Sequence, residues 1–132
     1  MTTRKKEALN ALRPFIDIPQ KEEISFEEKF QNETLRPIIK FQHDLIMAYV
    51  KLQPNFLSIL ARVATKEEYI REIKPFVHSQ TNFKNQLIGI VVGLFTEEEF
   101  AIYSEASADL NKRIIQMIIQ RIGDTLFPLK NN

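Results

Sequence analysis

Apolar side chains recur along this chain at intervals of three and four residues, and no stretch alternates apolar with polar at a period of two. Phe26, Phe30, Leu35, Ile38, Phe41, Leu45, Tyr49 and Leu52 hold one helical register, and Tyr69, Ile70, Ile73, Phe76 and Val77 hold another. A third, formed by Leu110, Ile114, Ile115, Met117, Ile118, Ile119, Ile122 and Leu126, covers roughly 200° of a 3.6-residue wheel. The pattern predicts an all-α fold, an irregular bundle of five to seven helices in a single domain over residues 1–132.

Helix starts are written in side-chain chemistry. Ser25–Glu28, Thr65–Glu68 and Thr96–Glu99 each match Ser/Thr-x-x-Glu, in which a hydroxyl and a carboxylate satisfy the amides a helix leaves open at its N-terminus. Pro14 and Pro19 resist helix, so residues 1–24 read as a short helix at about 3–12 followed by a connector. Residues 25–127 form the helical core, and 128–132 a tail. Within the core, Pro37 predicts a kink in a long helix that Pro54 ends, and Pro75 bends or ends the helix begun at Thr65. The final helix runs from about Ala106 to Phe127.

The stretch NQLIGIVVGLFTEEEF, residues 85–100, places Gly89 and Gly93 four apart in an apolar run. The Lys and Ser/Thr of a phosphate-binding loop are missing, and no strand precedes it. Nine residues from Leu87 to Phe95 fall far short of the ~20 a membrane span needs. What remains is a buried central helix whose two glycines share one face and admit a close neighbour, so that Gly93→Leu would overpack it. Glu97, Glu98 and Glu99 resemble a metal cluster, but consecutive helical residues diverge by about 100°, and acidic groups suit a first helical turn.

Composition sharpens this picture in three ways. The absence of Cys removes disulfides, thiolate nucleophiles and Cys-based zinc sites. The basic N-terminus has no apolar run behind it, so a cytoplasmic protein is expected, with no membrane segment. The net charge of +1 conceals blocks: +3 over residues 1–13, −4 over 17–33, −5 over 89–111 and +3 over 112–132. Alternating blocks suit internal docking or head-to-tail association rather than one basic face, so no nucleic-acid partner is expected.

Chemistry-bearing residues are sparse. His43 and His78 lie in no metal-ligand motif, no serine sits in a nucleophile elbow, and neither catalytic residues nor a cofactor are assigned. The last helix carries two polar residues in or at the edge of its apolar arc, Asn111 and Arg121, which need partners if buried. One arrangement is a core network, with Arg121 reaching one of Glu97–Glu99. The other is a polar pocket of Asn111, Arg121, His43 and His78 that receives an anionic or carbonyl group.

FQNETLRPIIKFQHDLI, FKNQLIGIVVGLFTEEEFAIY and LNKRIIQMIIQRI resemble a family of small uncharacterised helical proteins of Bacteroidetes-type bacteria, over about residues 10–127. Members are often labelled glyoxalase, yet this chain has neither the strand pattern nor the ligand set of a glyoxalase. The resemblance implies a bacterial cytoplasmic helical protein and transfers no catalytic residue. The expected function is a non-enzymatic interaction module that forms a homodimer or docks on a protein partner. The alternative is a small-molecule binder or enzyme with a pocket between helices.

Overall fold

The computed structural model describes residues 2–16 and 24–131; Met1, residues 17–23, within the expected connector, and the terminal Asn132 lie outside the described residues. All regular structure among the described residues is helical. The order is α1 (Thr2–Ala11), α2 (Phe26–Phe30), a π-helical segment (Gln31–Leu35), α3 (Arg36–Phe41), α4 (His43–Val50), α5 (Asn55–Arg62), α6 (Lys66–Ser79), α7 (Thr81–Val92), α8 (Glu97–Glu105), α9 (Ser107–Leu126) and a 3-10 segment (Phe127–Asn131). The α2, π and α3 pieces join end to end, which makes eight helices among the described residues, more than the five to seven expected.

The caps fall where the hydroxyls stand. Ser25, Thr65 and Thr96 accept hydrogen bonds from the amides of Glu28, Glu68 and Glu99. At Thr96 the box is reciprocal, while Glu68 reaches one residue further back, to the amide of Ala64 at 2.7 Å. Pro37 lies within the long helical run, as expected. A proline ring clashes with the carbonyl four residues before it, and here the wider π turn immediately precedes α3. The run breaks at Gln42 and restarts as α4. Pro75 neither ends nor interrupts α6, which continues to Ser79.

α9 is the axis of the bundle. Leu110, Ile114, Ile115, Ile118, Ile119, Ile122 and Leu126 are all buried, against α6, α7, α8 and the π segment. Around them close Leu35, Ile38, Ile46, Phe56, Tyr69, Ile73 and Leu87, each with no exposed surface. Tyr69 donates its buried hydroxyl to the Phe56 carbonyl at 2.9 Å, and burial pushes its pKa up to about 12. The expected tail is folded instead: residues 127–131 make a 3-10 turn, and Lys130 Nζ donates to the Leu60 and Ala61 carbonyls at 3.0 and 3.3 Å. Those are last-turn carbonyls of α5, where a cation is favourable.

Two expectations about α7 are corrected. It is not buried all round: Phe83, Leu87 and Val91 face the core, and its glycines lie on the exposed side. A Cβ at Gly89 would meet no atom within 4 Å, and one at Gly93 only the Gly89 carbonyl of its own helix, at 3.0 Å. Neither glycine therefore admits a neighbouring helix. The close approach belongs to Gly123 of α9, where a Cβ would come within 2.4 Å of Ile70 Cγ1 on α6.

The basic and acidic blocks dock internally at one place. The Arg13 guanidinium forks onto Glu99, both contacts at 2.7 Å, and also donates to the Leu94 carbonyl at 3.0 Å. The Glu99 carboxylate also accepts from the Thr96 amide at 2.9 Å and the Thr34 hydroxyl at 3.4 Å. It thus joins the N-terminal arm, the start of α8 and the π segment. Lys6 and Glu98 form an exposed pair beside it at 2.9 Å.

Helix propensity and steric room give opposite expectations for the glycines. Gly89→Ala should raise the melting temperature, by up to ~1 kcal/mol of stability. Gly123→Val should lower it by about 1–3 kcal/mol, because Ile70 must move. Thermal denaturation of both variants checks this. A second expectation concerns acid. Burial pushes the Glu99 carboxyl up, but the hydrogen bonds from Arg13 and Thr96 and the Arg13 charge outweigh it and hold its pKa below the usual carboxylate value. That contribution is complete above the unfolded pKa and vanishes as pH falls through the lower folded one. Arg13→Met should flatten the loss of melting temperature on acidification below about pH 4.5.

Candidate functional site

One side of α9 is apolar and buried, and its other side carries a polar strip that includes Arg113, Gln116, Gln120, Arg121 and Asp124. This strip forms one wall of a cleft of about 480 Å³, whose other wall is Gln31, Arg36 and Ile39 from the π segment and α3. Met117 and Thr125 complete the lining. The volume lies in the range of small-molecule sites.

The two walls are joined at both ends. Arg113 Nη1 donates to Gln31 Oε1 at 2.9 Å, and Arg121 Nη1 lies 3.2 Å from His43 Nδ1. Since 31 pairs with 113 and 43 with 121, the long helical run lies parallel to α9. Arg36 projects between these ties and donates to Asn32 at 3.3 Å. Three guanidiniums therefore line one trough, and their partners are mostly neutral. Asp109 approaches Arg113 Nε at 3.5 Å from an exposed position, too far for a good hydrogen bond. The one acidic residue of the lining, Asp124, is already matched by Lys66 at 3.0 Å and by Gln120 at 3.1 Å. The Nε groups of Arg36 and Arg113 are buried without a hydrogen-bond partner. Guanidiniums that line a cleft suit carboxylates and phosphates, which they hold through short charge-assisted bonds.

The four residues expected to share a pocket are divided. Arg121 and His43 are brought together, with Arg121 in the cleft lining. Asn111 lies ten residues up α9 from Arg121 and accepts a hydrogen bond from the Tyr103 hydroxyl at 2.6 Å, which links α8 to α9. His78 is exposed in the last turn of α6, with its pKa lowered by partial burial and then by Lys84 and Lys74. No hydrogen bond joins it to His43, Arg121 or Asn111 among the described residues. The expected network from Arg121 to Glu97–Glu99 is replaced by two separate pairs, Arg13 with Glu99 and Arg121 with His43. Sequence reasoning missed Arg36 and weighed Arg113 only as a nucleic-acid contact, not as part of the pocket. Arg113 stands one turn before Met117 and two before Arg121, so the wheel of the last helix held the signal.

Among the described residues, no group of three or more His, Cys, Asp or Glu side chains is placed to hold a metal ion. No described helix is long and apolar enough to cross a membrane. A second, smaller groove of about 250 Å³ has Phe26, Phe30 and Ile102 along it and Glu99 at one edge.

Fold and cleft define an all-helical protein with a cationic trough between two parallel helices. No family model and no solved structure matches the chain. It is 33% identical over 76 residues to an uncharacterised protein of Bacillus anthracis, across 56% of this chain. The matched segment spans 27% of that relative's length. A match of 76 residues cannot hold both partners of either tie, because Gln31 and Arg113 are 82 positions apart and His43 and Arg121 are 78.

The contact with Arg121 fixes which histidine nitrogen is bare. A guanidinium only donates, so His43 Nδ1 accepts and its proton, when neutral, sits on Nε2. Ring nitrogen shifts from 15N NMR should show this tautomer. Arg121→Met should shift His43 toward a tautomer mixture without unfolding the protein.

Proposed function

We propose that this protein binds a small anionic molecule in the trough between α3 and α9. The observation that carries the reading is the convergence of Arg36, Arg113 and Arg121 on one cleft of ligand size, with no free carboxylate in its lining. Arg36, Arg113 and Arg121 bring guanidiniums, Gln116 and Gln120 bring amides, and Ile39 and Met117 give apolar contact. The lining has no activated nucleophile, so binding rather than turnover is the activity it supports. The π turn beside the cleft fits this reading, since such turns are frequent at functional sites. The relative from Bacillus anthracis supports a bacterial origin, and a cytoplasmic setting belongs to the same proposal.

Self-association is a second reading, favoured by a different surface. Gln42 donates to the Ile90 carbonyl at 3.0 Å, and Tyr49 pairs with Gln86, which ties α4 to α7. Leu45, between those contacts on α4, is 53% exposed, and Phe41 is 44% exposed. Together they offer exposed apolar surface to a second copy.

Native mass spectrometry of the freshly purified protein separates the readings. The expected result is a retained mass of a small acid that Arg36→Met and Arg121→Met both lose. A dimer with no added mass, and no stabilisation by millimolar inorganic phosphate, would overturn the binding reading in favour of self-association.

A further inference from the structure

We propose that the ligand is an elongated dianion, with one anionic group at Arg113 and another at Arg121, about 12 Å apart by the rise of eight helical residues. This rests on the anion-binding reading above and specifies the ligand class.

The spacing is built into the walls. Arg113 is held to Gln31, and Arg121 to His43, each at its own register along the two parallel helices. Both side chains are drawn toward the facing wall at opposite ends of the trough, so one compact anion cannot engage both. Between them the lining changes character. Ile39 and Met117 contribute apolar surface, while Gln116 and Gln120 contribute amides. A body of methylenes, or a flat group with hydrogen-bonding edges, suits that middle section. A third cation, Arg36, lies five residues beyond Gln31 and seven before His43, so it reaches the middle and can assist either end. The ends also differ. Arg113 shares its charge with Asp109 at 3.5 Å, while among the described residues Arg121 contacts His43 Nδ1 and no carboxylate. The Arg121 end is therefore the stronger, and the Arg113 end discriminates by length.

The test is a chain-length series of unbranched dicarboxylates from succinate to sebacate, each compared with the monocarboxylate of equal length by calorimetry. The matched acids cancel the apolar contribution of the added methylenes. If the proposal holds, the preference for the dicarboxylate grows along the series to at least tenfold at its long end. A second charge-assisted contact is worth about that much. Arg113→Met should abolish the growth along the series, while Arg121→Met weakens both series. The length dependence is read on the unaltered protein, so it does not depend on any variant folding. A flat preference along the series, with inorganic phosphate still bound, would overturn the dianion and leave the anion cleft standing. Failure of every acid and of phosphate to bind would overturn both.

Discussion

The structure depends on the need to surround α9. An apolar arc wider than half its circumference cannot rest against one neighbour, so the chain wraps the helix from several sides. α6 and α7 cover one flank, α8 and the π segment others, and seven fully or nearly buried aliphatic side chains of α9 fill the space among them. The closest approach is at Gly123, where the missing side chain leaves room for Ile70. What this wrapping leaves uncovered includes the polar strip from Arg113 to Asp124, and that strip is one wall of the cleft. Site and core are thus two faces of one helix.

The opposite wall depends on a proline. Pro37 sits early in α3, and the π segment Gln31–Leu35 precedes it. A wider turn shifts the direction of every side chain after it relative to a regular helix. Thr34 and Leu35 stay buried, while Gln31 and Arg36 face the trough. The same segment meets Glu99 through Thr34, so the arm held by Arg13 and the wall of the cleft share a carboxylate.

The fold class and most helix starts were readable in the sequence, because hydroxyl caps and apolar spacing are local signals. The break at Gln42 and the continuity of α6 through Pro75 were not, since tertiary packing decides whether a helix tolerates a proline. Gly89 and Gly93 misled for a related reason. Their spacing says that they share a face but not whether that face meets a helix or solvent, whereas the lone Gly123 gave no pattern to notice. Arg121 and His43 were singled out as candidates, and they do meet. Arg36 and Arg113 were passed over because a charged residue beside an apolar stripe looks like solvated surface until the facing helix is in place. Asn111 and His78 could not be separated from the cleft without knowing how the helices lie.

The walls of the cleft are 78 to 82 residues apart in the chain, and they run in parallel. Parallel pairing over such a loop closes late, because its entropy must be offset by contacts made elsewhere first. The helices in between, α5 to α8, pack on one another and on α9 through contacts that do not involve the trough. Occupancy of the trough would therefore act as a clasp on the last step of assembly. It would slow the parting of the long helical run from α9 and hardly alter the speed of collapse.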